Sequence, residues 1–160
     1  MSTQAHTRLM TMLDERELEF AAADPLRVCR LRREAEAHLV WARASYESAD
    51  LDGAFRLAYR ACGEYAVALL LSAGLRPVDP EERRLVFRAV ATMAPTYGMR
   101  RTVRHADELR HVSTAVEAGR HELERGDALE ALRVGESLGR HVTSVVEQRY
   151  PGMLDQARVS

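Results

Sequence analysis

The sequence predicts an all-α protein, an up-and-down bundle of five or six helices, and the prediction rests on three observations. Two long helical patterns, Asp24 to Glu47 and Asp52 to Gly74, meet at the short polar joint Ser48-Ala49-Asp50-Leu51, which is the signature of an antiparallel pair. Start and stop residues recur where helices need them, with Asp24-Pro25 and Asp79-Pro80 opening segments and Gly74 and Pro77 closing one. No strand-like alternation of any length occurs, and there is no internal repeat or low-complexity tract.

Leu9, Leu13, Arg16 and Phe20 step by helical intervals and predict a first helix from about Gln4 to Ala22, with a thin apolar stripe that implies loose packing. Asp24 can accept from the free N–H groups of a first turn and Pro25 has no N–H to leave unpaired, so the second helix starts there. Its apolar stripe runs through Val28, Leu31, Ala35, Leu39, Ala42 and Tyr46. The third helix carries Phe55, Ala58, Cys62, Tyr65 and Leu69 on one face and alanines elsewhere, which predicts neighbours on several sides and a central place.

A shorter helix follows from Pro80 to about Met93, then a loop over Ala94-Pro95-Thr96-Tyr97-Gly98. The penultimate helix is predicted over Thr102 to Glu124, with His105, Leu109, Val112, Val116 and Leu123 in one stripe. The last runs from Asp127 to Arg149, where Gly135 and Gly139 share a face with Leu132, Leu138 and Val142. Each glycine costs roughly 1 kcal/mol of helix propensity relative to alanine, so close approach of another helix is expected at both. The organisation is then an N-terminal helix over residues 1–24, a bundle domain over 25–150 and a tail over 151–160.

A chain of 160 residues suits one domain, and 46% apolar with 29% charged residues is an ordinary globular balance. The formal net charge is -1, and every basic residue is Arg, with no Lys. Coding bias explains that, although Arg also suits bidentate capture of phosphate or carboxylate. Charge alone neither demands nor excludes nucleic acid. Cys29 and Cys62 lack any metal-binding spacing and read as buried, reduced thiols; no metal or cofactor is expected. Without a secretory leader or an apolar stretch of ~18 residues, the chain is expected to be cytoplasmic and off the membrane.

The long hairpin ending Leu69-Leu70-Leu71-Ser72-Ala73-Gly74-Leu75-Arg76-Pro77, the short helix, the loop, and two long helices of which the last begins Asp127-Ala128-Leu129-Glu130-Ala131-Leu132, resemble a HEPN domain over about residues 26 to 150. The resemblance rests on helix order and small-residue placement. It implies a homodimer, and either a metal-independent ribonuclease or RNA-binding toxin or defence component, in some members paired with a nucleotidyltransferase-like antitoxin, or a catalytically inactive interaction and assembly module.

The family's catalytic pair is an Arg and a His separated by four to six residues near the start of the penultimate long helix. Arg32 and Arg33 with His38, Arg100 with His105, and Arg104 with His111 all have that spacing, and chance alone gives roughly two or three such pairs in so Arg-rich a chain. Position selects Arg104 and His111. The resemblance then implies His111 as general acid or base, Arg104 as holder of the scissile phosphate, and the RNA 2′-hydroxyl as nucleophile. Arg100, Arg101 and His105 are the accompanying candidates for RNA contact.

Structural alternatives stand beside each of these. Arg104 can pair with Glu108 along the helix, His111 can be a solvated flank residue, and His105 falls where a core histidine is expected. If Leu109-Arg110-His111-Val112 is the family register instead, Ser113, Thr114 and Ala118 stand where polar catalytic residues belong and the site is degenerate. Arg32-Arg33 reads as a solvated face, and Glu64 as the partner of Arg60 or as a buried functional carboxylate.

Overall fold

A computed structural model describes residues 1–153, so the expected tail lies outside the described residues from position 154 onward. Among the described residues six helices form: α1 (Thr3–Asp14), α2 (Pro25–Glu47), α3 (Leu51–Ser72), α4 (Arg83–Met93), α5 (Tyr97–Glu117) and α6 (Arg125–Arg149). Two three-residue strands, β1 (Leu18–Phe20) and β2 (Leu75–Pro77), make one antiparallel ribbon with Leu18 opposite Pro77 and Phe20 opposite Leu75. The architecture is the all-helical bundle expected, with this ribbon added.

The ribbon corrects the expected first helix, which ends at Asp14 rather than near Ala22. Arg16 adopts φ 56, a left-handed conformation that breaks the helix, and Leu18 then drops into the core at 1% exposure. On the other side Gly74 takes φ 75 after α3, the conformation glycine tolerates best, and turns the chain into β2. Ala21 N–H donates to Gly74 O at 2.9 Å and Val78 N–H to Glu17 O at 3.1 Å, so the pairing extends past both strands. Leu9 and Met12 are buried in the main core, and Glu17 pairs with Arg88 of α4. The thin stripe of α1 is therefore seated in the core.

α2 begins at the cap the sequence marks: Arg27 N–H donates to Asp24 Oδ1 at 3.0 Å and Pro25 occupies the first turn. At its far end Ala49 adopts φ 60, and Asp50 accepts from Gly53 N–H at 2.9 Å to start α3. A left-handed alanine costs about 1–2 kcal/mol, a cost offset by the packing of the two long helices it joins. α3 is the central helix. Ala54, Ala58, Ala61, Ala66 and Ala68 are fully buried, and their small side chains let α2, α4, α5 and α6 all approach it.

Phe55 of α3 and Phe87 of α4 are buried to within 2% and lie with Tyr59 in a run of rings 6.2 and 6.3 Å apart. Each such burial stabilises by about 1.5–3 kcal/mol. α6 closes against α2 and α3 through its glycines: a Cβ on Gly135 would lie 2.6 Å from Leu39 Cδ2 of α2, and one on Gly139 would lie 2.8 Å from Tyr65 Oη of α3. The close approach expected at those glycines is made within the chain.

Candidate functional site

α5 starts five residues before the expected Thr102. Thr96 caps it, accepting from Met99 N–H at 3.1 Å, so the segment expected to be a loop supplies the first turn. Met99, Thr102, Val103, Ala106 and Leu109 face the core. The opposite stripe, Arg101, Arg104, Glu108 and His111, is exposed. Arg104 and His111 share that stripe two turns apart, about 10 Å along the axis.

Neither Arg104 nor His111 lines either of the two largest grooves described below, and both are exposed. Among the described residues Arg104 forms no ion pair with Glu108, and His111 Nε2 lies 3.2 Å from Nη2 of Arg110. Arg101 is exposed, whereas Arg100 is half-buried and donates from Nη1 to Ala94 O at 3.1 Å, bracing the end of α4. His105 is half-buried at the edge of α5, so it is not the core histidine its stripe position suggests.

α5 and α6 run antiparallel, with Thr102 Oγ1 and Ser137 Oγ 3.2 Å apart and Gly98 packed beside the His141 ring. Burial, then the neighbouring Arg140, holds the His141 imidazole below its ordinary pKa. Arg133, one turn before Ser137, is exposed. Several other surface arginines are paired with a carboxylate, as in Arg30 with Glu34, Arg56 with Asp52 and Arg76 with Glu19, and others, such as Arg8, Arg27 and Arg84, form no ion pair among the described residues. Arg101, Arg104 and Arg133 likewise form no ion pair among the described residues. The adjoining α5 and α6 thus carry three arginines without ion pairs and three imidazoles, His105, His111 and His141, together with the exposed Glu108 and Glu130.

Two grooves lie elsewhere. One, of about 1000 Å³, is bounded by α2, α3, α4 and α5 and lined by Tyr59, Arg60, Glu64, Arg83 and Arg110. Its charges are largely engaged: Arg60 Nε is 3.1 Å from Glu64, Arg110 Nε 2.8 Å from Asp107, and Arg83 donates to Pro80 O. Glu64 is 11% exposed and also takes His38 Nδ1 at 2.7 Å. The pairing with Arg60 is as expected from sequence; the link to His38 on α2 is additional. Burial pushes the Tyr59 hydroxyl and the Cys62 thiol each up to about 12, so neither ionises near neutrality.

The other groove, of about 840 Å³, lies between α2 and α6 and is lined by Arg32, Arg43, Tyr65, Glu136, Arg140 and Thr143, among others. Arg32 departs from its expected place. Predicted on a solvated face, it is 9% exposed. It stands four residues after Val28 and three before Ala35, both fully buried, so the stripe that buries them buries it too. That heptad-like position was the available signal. Among the described residues no group of three or more His, Cys, Asp or Glu side chains converges to hold a metal, and no helix is long and apolar enough to cross a membrane.

Compared with known proteins, the chain matches no family model, no curated protein and no solved structure.

Proposed function

We propose that this chain is a HEPN-like domain that binds RNA as a homodimer through its α5–α6 face. The observation that carries the reading is placement: Arg101 and Arg104 share one exposed stripe of α5 with His111, Arg133 is exposed on the adjoining α6, and none of the three has a carboxylate partner among the described residues. Uncompensated guanidinium groups bind successive phosphates and release their counterions, which is the main source of affinity for single-stranded nucleic acid. His105 and His141 flank them at the helix seam.

In the cleaving form of this reading, His111 exchanges a proton with the 2′-hydroxyl or the leaving oxygen, and Arg104 neutralises charge developing on the phosphate. Because each protomer presents the pair on open surface, a cleft requires a second copy placed by a two-fold axis near α5. The test is incubation of a single-stranded RNA with the protein in excess chelator. Products ending in a 2′,3′-cyclic phosphate, abolished by Arg104→Ala with His111→Ala, support cleavage. RNA bound but intact assigns the chain to the binding form, and cleavage that survives the double variant contradicts the assignment of these residues.

A second reading, a catalytically inactive protein-interaction module, is favoured by α2. Its outer face carries Ala37, Val40, Trp41 and Ala44 at helical spacing, with Val40 64% and Trp41 59% exposed. Small, large, large, small reads alike in both directions, and an antiparallel second copy would set Ala37 against Ala44. It would also bring the Arg30 end of one helix toward the Glu47 end of the other. The two readings place the dimer axis on different helices.

A further inference from the structure

We propose that the groove between α2 and α6 is a binding site for a small zwitterionic carboxylate of the amino-acid type, whose carboxylate pairs with Arg32. A guanidinium carries five N–H donors in a planar fork. In Arg32, Nη1 donates to Glu36 Oε2 at 3.3 Å, but Nε is buried without any partner, and the Nε–Nη2 edge donates to nothing among the described residues. That edge is the one that matches a carboxylate with two parallel hydrogen bonds. A buried cation left with open donors is costly unless something supplies acceptors. Nε is closed to solvent in this conformation, and a rotation of the Arg32 side chain would turn its Nε–Nη2 edge toward an acceptor seated in the groove that Arg32 lines.

Tyr65 supplies the second recognition element. Its ring is buried, its hydroxyl lies over the bare Cα of Gly139, and that hydroxyl has no hydrogen-bond partner among the described residues. Burial pushes its pKa up to about 12, so it is a neutral donor at physiological pH. Thr143 and Ser144 add hydroxyls along α6.

The charge of the lining chooses among anions. Arg32, Arg43 and Arg140 face Glu36, Glu47, Glu136 and Glu147. Arg43 is held by Glu136 and Arg32 by Glu36, so Arg140 is left as one cation against two carboxylates, Glu47 and Glu147, near the ligand space. A doubly charged phosphate meets net repulsion there. A singly charged carboxylate that also carries an ammonium group is neutral overall and answers both signs. The site uses none of Arg101, Arg104, Arg133 or His111, and it stands whether or not RNA is bound.

The experiment follows the Arg Nε–H resonances of the full chain by nitrogen-edited NMR while each of the common free amino acids, acetate and inorganic phosphate is titrated in turn. The Arg32 signal is assigned through Arg32→Lys, which keeps the charge but loses the fork. At least one amino acid is expected to shift the Arg32 resonance saturably, with a dissociation constant of about 1 mM or tighter. Acetate should bind more weakly and phosphate should leave the resonance in place. Tyr65→Phe should weaken the best amino acid about tenfold, the worth of one hydrogen bond to a charged group. Three outcomes overturn the proposal: no amino acid moves the Arg32 signal, phosphate moves it as strongly as the best amino acid, or Arg32→Lys binds unchanged by calorimetry. If Arg32→Lys fails to fold, Tyr65→Phe decides by the same titration, unchanged affinity counting against the site.

Discussion

The imidazole of His38 and the carboxylate of Glu64 face each other across the α2–α3 hairpin, Nδ1 to Oε2 at 2.7 Å, with both side chains almost withdrawn from solvent. The same carboxylate receives Arg60 Nε at 3.1 Å, so one acidic group ties a helix to its neighbour and to its own next turn. Glu64→Ala leaves His38 Nδ1 and Arg60 Nε without their shared partner. The expected cost is about 1–3 kcal/mol by denaturant unfolding, and His38→Ala in the Glu64→Ala background should cost markedly less than in the wild type. Additive losses would mean the pair contributes nothing.

Two glycines of α6 should respond to alanine with opposite signs. At Gly139 a Cβ would stand 2.8 Å from Tyr65 Oη and 2.9 Å from Cζ, so overpacking is expected to outweigh the helix-propensity gain, for a net loss of about 1–3 kcal/mol. At Gly126 nothing lies within 4 Å of the added carbon, and Gly126→Ala should stabilise by up to about 1 kcal/mol. Thermal unfolding of the two variants checks both signs.

The exposed Val40 and Trp41 ridge gives the interaction-module reading its own test. Trp41→Glu should leave the fold intact, since the side chain is mostly in solvent, and should convert a dimer built on α2 into a monomer in sedimentation velocity. A dimer unaffected by this change places the axis elsewhere.

His141 makes stability depend on pH in a fixed direction. Its folded pKa lies below the ordinary value because of burial and Arg140, so the unfolded chain binds the proton more readily. The contribution is fully present above the unfolded histidine pKa of about 6.5 and is lost as pH falls through the folded value. His141→Gln, neutral at every pH, should flatten the wild-type loss of unfolding free energy on acidification in that window; an unchanged slope would assign the loss to other groups.

Sequence periodicity locates most of the fold because most elements are long enough to show it. The Asp24-Pro25 start of α2 and the glycine end of α3 are local signals, and the structure has both at those residues. The ribbon is not legible in this way, since three residues per strand carry no alternation and Leu18 owes its burial to a partner 59 positions away at Pro77. The α5 start is concealed because Pro95 and Gly98 flank a threonine whose capping bond only the folded turn reveals. Spacing alone puts Arg104 and His111 on one helix face, but whether that face meets a cleft is set by packing of whole helices. Arg32 is hidden for the opposite reason: charge suggests solvent while its place in the Val28–Ala35 stripe points inward.

The central claim is that the α5–α6 face binds RNA through its unpaired arginines, and the most direct measurement is fluorescence anisotropy of a labelled single-stranded RNA across a salt series. The account expects log affinity to fall linearly with log salt. The triple variant Arg101→Ala, Arg104→Ala, Arg133→Ala should lower that slope by about 2, or about 0.7 for each phosphate no longer neutralised. Equal slopes and affinities for wild type and variant would contradict it.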